Sequence, residues 1–351
     1  MHSQGFEVVL LTGFLGSGKT TLLKTFLSSG DAADVGVVVN EIGEIDVDGA
    51  VLAQSAEKVP LALLSNGCIC CAADGDLAGT IAMLQEERAR RGLPPLCRVI
   101  VETSGAARPG PVLRGLQLLG PAVRTRCIST LDAINWRRAM RTREGRAQLA
   151  GASRIVVTKM ECGDEPSVRR ACDAARAANP LCELITESSP FERARLCFAE
   201  GARASGAEFY PPASLVHATF TGEISTAILR LQTAIGYDEL AEWLDNAAGL
   251  FGERLYRLKG FVRVRDQPRR VLVQGVGTTF AQPTLFLGEG TQSFLVAIGE
   301  GLGLDELQSI EPHLDAEIIV GEKRGATPMG SSLTRTIETL DSIGHSSCNA
   351  A

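Results

Sequence analysis

Short apolar runs alternate with helically spaced ones along residues 7–186. The runs at 7–11, 35–40, 61–64, 98–101, 127–131, 154–158 and 182–186 are rich in Val, Ile and Leu, and they predict strands. Between them, apolar residues recur at helical spacing over 19–28, 77–90, 135–149 and 166–178. The last helix should stop before Pro180, because the residue preceding a proline avoids the helical region. This alternation predicts an α/β fold, a mostly parallel sheet with helices on both faces.

The texture changes at 208–214, EFYPPAS, where two prolines among polar and small residues read as a linker. Beyond it come a strand-like run at 215–220, a helical run at 237–251 and three further strand-like runs at 257–264, 269–277 and 292–299. These predict a smaller α+β domain on a mainly antiparallel sheet. The expected division is therefore a first domain over 1–207 and a second over 215–324. The Gly/Ser/Thr-rich residues 325–351 are expected to be a flexible tail.

Composition and charge mainly exclude. A length of 351 residues suffices for two cores. The net charge of −6 offers no general basic face, so no nucleic-acid partner is expected. No apolar run approaches the roughly twenty residues of a membrane span, and no secretory leader is legible. A cytoplasmic protein without a membrane partner is the expectation. The ten cysteines should then be reduced thiols. Cys97, Cys127, Cys162, Cys172, Cys182, Cys197 and Cys348 are scattered, and most read as small core residues. Cys68, Cys70 and Cys71 are different, because three thiols fall within four residues.

Four segments carry candidate chemistry. Residues 13–20, GFLGSGKT, fit the phosphate-loop pattern G-x-x-x-x-G-K-[ST], between an apolar strand and a helix as that motif requires. Gly13, Gly16, Ser17 and Gly18 would wrap backbone N–H groups around phosphate oxygens, with Thr21 following in the helix. Lys19 would reach the β- and γ-phosphates, and the Thr20 hydroxyl would bind Mg²⁺. After the second strand, residues 40–48, NEIGEIDVD, place four carboxylates beside a glycine, which is either a solvated turn or part of the nucleotide crevice. After the fourth, Glu102-Thr103-Ser104-Gly105 offers an acid for the Mg²⁺ shell or an attacking water. Its glycine N–H could sense the γ-phosphate. After the sixth, Thr158-Lys159-Met160-Glu161 stands where GTPases carry N-K-x-D. Glu161 keeps the acceptor for the guanine N–H groups with one more methylene, and Thr158 lacks the amide of Asn.

Cys68-Ile69-Cys70-Cys71 is too tight for an ordinary disulfide hairpin. Closely spaced thiolates are soft donors that suit Zn²⁺, Cu(I) or, less selectively, Co²⁺. Three such ligands leave a position open, which suits transfer more than storage. Glu41 or Glu44 would supply another ligand if the two strand ends are neighbours. A redox centre ranks below the metal reading.

In this order the motifs resemble those of the CobW-like P-loop GTPases, metal chaperones or insertases. GFLGSGKTTLL (13–23) is similar to the family's phosphate loop, NEIGEIDVD (40–48) to its first switch, NGCICC (66–71) to its C-x-C-C signature and ETSG (102–105) to its second switch. TKME (158–161) occupies the place of base recognition, and RLKGFVRV (257–264) resembles the start of the C-terminal sheet. Three departures stand out: Glu161 for the family's Asp, GAARP (105–109) for G-L-A-x-P, and no His-rich tract.

The resemblance implies a slow GTPase with Lys19, Glu102 and Gly105 as catalytic residues. Thr158, Lys159 and Glu161 would hold the base, and Cys68, Cys70, Cys71, Glu41 and Glu44 a transition metal. GTP, Mg²⁺ and Zn²⁺ or Co²⁺ are the implied ligands, and a client metalloprotein that receives the metal is the implied partner, with self-association possible. Two other readings stand beside it: a nucleotide-gated zinc or redox sensor that delivers no metal, and an ATP-dependent small-molecule kinase.

Overall fold

The computed structural model describes residues 6–29, 34–39, 61–63, 77–120, 123–199, 224–286 and 290–321. The segments 40–48 and 64–71, the run 215–220, the linker at 208–214 and the tail at 325–351 lie outside the described residues.

Strands β1 (Glu7–Gly13), β2 (Val35–Val39), β3 (Leu61–Leu63), β4 (Arg98–Glu102), β5 (Arg124–Asp132), β6 (Arg154–Thr158) and β7 (Glu183–Ile185) form one parallel sheet. Their order is β3-β2-β4-β1-β5-β6-β7. Alternate side chains of β1 leave on opposite faces, as a pleated strand requires. Val9 and Leu11 meet α1 (Lys19–Leu27) and α7 (Pro190–Phe198), where the rings of Phe26 and Phe198 lie 4.6 Å apart. Val8 and Leu10 meet α2 (Leu77–Arg90) and α3 (Pro109–Leu116) through Ile81, Leu84, Val112 and Leu116. Both faces are buried, which is why these strands read as continuous apolar runs.

The single helix expected at 135–149 is two: α4 (Trp136–Arg141) and α5 (Arg143–Gly151). Thr142 between them is extended (φ −110°, ψ 148°), and its hydroxyl accepts from the Gly145 N–H to cap α5. A β-branched residue that can cap its successor here overrides the helical periodicity. Helix α6 (Glu165–Ala178) begins at Asp164, whose carboxylate accepts from Ser167 N. Helices α3 and α7, not foreseen, both open on a proline in the first turn, a position that tolerates it.

The second sheet is antiparallel. It contains β8 (Ile224–Leu231), β9 (Leu255–Val262), β10 (Val271–Val276), β11 (Thr279–Phe280), β12 (Thr284–Leu285), β13 (Ser293–Glu300) and β14 (Ala316–Val320). The order is β11-β10-β9-β13-β8-β14, with β12 against β10. Helix α8 (Tyr237–Phe251) lays Leu240, Trp243, Leu244 and Phe251 on one face; α9 (Leu304–Gln308) follows β13. The other face is not solvated. Phe261, Phe294, Val296 and Ile298 pack with Leu149, Ala150, Ala175 and Ala178 of α5 and α6, so the two sheets share a core.

Polar contacts reinforce that junction. Arg257 on β9 is buried and donates to the Gly151 carbonyl at 2.5 Å. Arg143 and Arg146 of α5 pair with Glu300 of β13. The turn between β10 and β11 sits on α3, with Thr279 Oγ1 donating to Gly110 O (3.3 Å) and Arg114 to Thr278 Oγ1 (2.7 Å). A Cβ added at Gly110 would come within 3.1 Å of the Val276 carbonyl, so the glycine permits this close approach.

Candidate functional site

Parallel strands all point their carboxyl ends to one edge, where ligands of such folds bind. Residues 13–20 leave β1 at that edge. Gly16 (φ 71°) and Gly18 (φ 91°) take left-handed backbone that other residues resist, which curls the loop before α1 begins at Lys19. Ser17 Oγ and Thr130 Oγ1 share a hydrogen bond of 2.6 Å. Lys19 Nζ, buried, donates to the Gly13 carbonyl across the loop at 3.0 Å. Thr21 is exposed in the first turn of α1, beside the N–H groups that make a helix start attractive to phosphate.

Thr20 Oγ1 donates to Glu102 Oε1 at 2.6 Å. The expected Mg²⁺ hydroxyl and the expected strand-end acid therefore meet. A hydroxyl beside a carboxylate is a hard oxygen pair of the kind Mg²⁺ takes, so these residues fit that ion. Gly105 lies against the phosphate loop, where an added Cβ would come within 2.7 Å of Leu15 N. Its carbonyl and that of Ala107 accept from Gln148 Nε2 at 3.0 and 2.8 Å. Gln148, buried on α5, ties the ETSG loop to the helix that carries Arg143 and Arg146. Neither Gln148 nor Thr130 is marked by any motif.

The segment expected to recognise the base, 158–161, is joined to the phosphate loop directly. Thr158 Oγ1 donates to Ser17 O (2.7 Å), and Lys159 Nζ donates to Gly16 O (2.6 Å) and to Asp132 Oδ2 (2.8 Å). Thr158 so contacts the loop without the amide of Asn. Burial would raise the Asp132 carboxyl, but Lys159 and the N–H groups of Asn135 and Ile134 outweigh it and hold it below the usual range. Glu161 accepts from Arg193 Nη2 at 3.1 Å. Its own backbone N–H and that guanidinium keep its carboxyl low. Arg193 was not singled out in the sequence, because nothing local marks a helix arginine as a partner of a residue in another loop.

Glu41, Glu44, Cys68, Cys70 and Cys71 lie outside the described residues. The strands that lead to them are described. Leu63 at the end of β3 is paired with Val39 at the end of β2, and Val39 with Glu102. The strand ends preceding 40–48 and 64–71 are thus neighbours, one strand spacing of about 4.8 Å apart.

Among the described residues, no group of His, Cys, Asp and Glu side chains is arranged to hold a metal ion. Burial pushes the Cys127, Cys182 and Cys197 thiols up to about 12 and Cys97 to about 11, which suits core thiols. Cys162 departs from the core reading and is exposed, next to Glu161. No described helix is long and apolar enough to cross a membrane.

Known proteins share this organisation. The zinc chaperone YjiA of Escherichia coli (strain K12) is 26% identical over 279 residues, covering 77% of this chain and 85% of that protein. The zinc chaperone CobW of Pseudomonas aeruginosa is 29% identical over 340 residues, 84% and 88% of the two chains. The crystal structure of Zn(II)-bound YjiA GTPase has the same fold, with a TM-score of 0.60 and 22% identity over 87% of this chain and 98% of that one. Residues 7–185 match the CobW/HypB/UreG nucleotide-binding domain, and residues 224–311 match the cobalamin synthesis protein cobW C-terminal domain. The phosphate loop and its acid partner thus stand in the nucleotide-binding domain of the CobW/HypB/UreG family, to which this chain belongs, and the second sheet stands in a cobW C-terminal domain.

Proposed function

We propose that this protein is a GTP-hydrolysing metallochaperone. It binds a transition metal through Cys68, Cys70 and Cys71 and hands it to a client protein in a nucleotide-dependent way. One observation carries the coupling: Leu63, Val39 and Glu102 are register partners across three adjacent strands. The chain running to the thiols, the chain running through Glu41 and Glu44, and the acid bonded to Thr20 all start from one short row. A change in phosphate number at Glu102 and Gly105 has only one strand to cross before it reaches the segments that would hold metal.

In this reading, Lys19 exchanges the Gly13 carbonyl for the β- and γ-phosphate oxygens. Thr20 and Glu102 would hold Mg²⁺, and the ion would supply positive charge against those oxygens. Gly105 presents its N–H to the γ-phosphate, and Glu102 acts on the reaction through the ion it would hold. Hydrolysis breaks the bond from the γ-phosphorus to the oxygen that bridges it to the β-phosphate and forms one from the γ-phosphorus to water oxygen, giving GDP, phosphate and a proton. Loss of the γ-phosphate releases the ETSG loop, and through Gln148 and α3 the second sheet feels the change. The thiolates suit zinc or cobalt, and the names of both chaperone relatives favour zinc. A coupling of about 1–3 kcal/mol would change metal affinity by about 5- to 150-fold between nucleotide states.

The test is titration of the reduced protein with Zn²⁺ and Co²⁺, with GTP, GDP or no nucleotide, beside a Cys70→Ser variant. Tight stoichiometric binding that depends on nucleotide and disappears in the variant is the expected result, with a thiolate charge-transfer band for Co²⁺. Metal binding indifferent to nucleotide would overturn the coupling. Nucleotide-dependent binding with no transfer to any apo-metalloenzyme would favour the sensor reading.

A further inference from the structure

The base-recognition acid is held by a residue of a different element. Arg193 lies in α7 with its side chain only 5% exposed. Its Nε donates to Glu187 O at 2.7 Å, and Nη2 donates to Ser188 O at 2.8 Å and to Glu161 Oε2 at 3.1 Å. Glu187 and Ser188 belong to the loop after β7, and Glu161 to the loop after β6. These strands are neighbours, with Val156 paired to Ile185. One buried guanidinium therefore ties together the loops that follow β6 and β7. Thr158 and Lys159 anchor the first of those loops on Ser17 and Gly16, so the acid stands a fixed distance from the phosphate cradle.

We infer that Arg193 is a specificity-positioning residue: it aims the Glu161 carboxylate at the base and so selects guanine over adenine. The inference rests on the guanine-nucleotide reading above. An ionised carboxylate only accepts hydrogen bonds. Guanine offers two donors on one edge, N1–H and the 2-amino group. Adenine offers at that edge an acceptor nitrogen and a C–H. Selection therefore needs the carboxylate to be charged and correctly aimed. Glu has one more rotatable bond than the Asp of N-K-x-D, and an unrestrained Glu would lose that freedom on binding. Arg193 removes it in advance, which is preorganisation. Half of the Glu161 side chain (52%) stays exposed, and a carboxylate has about four lone-pair sites, so two guanine donors can still be accepted. The longer acid and the buried arginine thus act as one unit replacing a short acid.

The experiment measures equilibrium binding of GDP, IDP and ADP to the full chain, for wild type, Arg193→Gln, Arg193→Lys and Glu161→Asp. Arg193→Gln should weaken GDP by about tenfold, the size of one charge-assisted hydrogen bond, while ADP changes by less than about twofold. Arg193→Lys should recover part of the loss, because it restores the charge without the fork. Glu161→Asp is the second arm and is independent of the fold of the arginine variants. Too short to reach Arg193, it should lower the GDP:ADP ratio although it restores the acid that GTPases use. A ratio that stays at or above the wild-type value in Glu161→Asp overturns the inference. So does a parallel loss of GDP and ADP in Arg193→Gln, which marks a merely structural tie. If wild type itself binds ADP as tightly as GDP, the guanine reading fails first and takes this inference with it. If wild type prefers GDP and the variants keep that preference, only the role of Arg193 fails.

Discussion

Thr20 and Glu102 are joined by a 2.6 Å hydrogen bond between the first turn of α1 and the last residue of β4. They are 82 residues apart in sequence. The bond exists because β4 lies directly beside β1, with Leu11 and Glu102 as register partners. The phosphate loop and the acid that ends β4 therefore form one oxygen-rich corner.

Removing the carboxylate charge at this corner should stop the reaction without unfolding the protein. Glu102→Gln keeps the side-chain shape and can still accept from Thr20. GTP hydrolysis should fall by about 100-fold or more, the usual scale for losing one preorganised electrostatic group. The Mg²⁺ dependence of GTP binding should also weaken. A steady-state phosphate-release assay with a Mg²⁺ titration checks both.

Gly105 and Leu15 predict a difference between GTP and GDP. A Cβ at Gly105 would press on the Leu15 backbone nitrogen, at 2.7 Å. Gly105→Ala must push the ETSG loop away from the phosphate loop. GTP affinity should drop by about tenfold more than GDP affinity, a difference of about 1.4 kcal/mol. Equal losses for the two nucleotides would remove Gly105 from γ-phosphate sensing.

Gln148 donates to two buried carbonyls, those of Gly105 and Ala107, and among the described residues no other side chain donates to them. Gln148→Leu leaves them buried without that donor, at a cost of about 1–3 kcal/mol. The melting temperature should fall by a few degrees, roughly in proportion. Hydrogen exchange at residues 103–108 should speed up more than exchange in β1. Unchanged exchange there would mean that Gln148 does not restrain the loop.

Glu300 predicts a pH dependence at the junction between the sheets. Burial would raise its carboxyl, but the Tyr256 hydroxyl and the guanidinium groups of Arg146 and Arg143 bring it down to about 2, from a usual 4.5. The folded pKa is depressed, so the stabilisation is present above about pH 4.5 and is lost as pH falls towards 2. Chemical denaturation of wild type should show this loss. Glu300→Gln should be less stable at pH 7 and show a flatter profile through that window.

Much of the first sheet was legible because a strand covered by helices on both faces must be apolar throughout. Runs such as Val8–Leu11 and Val99–Val101 leave no other reading, and the glycines before Lys19 mark the loop. Strand β8 escaped notice. Its sequence, ISTAILRL, shows no alternation, because α8 covers one face and the first domain's helices the other. The split of 135–149 was also hidden. It depends on Thr142 capping α5, a choice between two local hydrogen-bond patterns that periodicity does not register.

The sequence by itself determined the order of motifs, the chemistry each can perform and the α/β class, because those follow from residue type and local spacing. Only tertiary structure decided which motifs touch. Strand order brings Thr20 to Glu102, sets the strand leading to Cys68 beside the strand leading to Glu41, and makes Arg193 the partner of Glu161. Strand order is fixed by which crossovers bury the most apolar surface together, a sum over the whole sheet. No local stretch of sequence contains that sum, so the pairings appear only once the chain is folded.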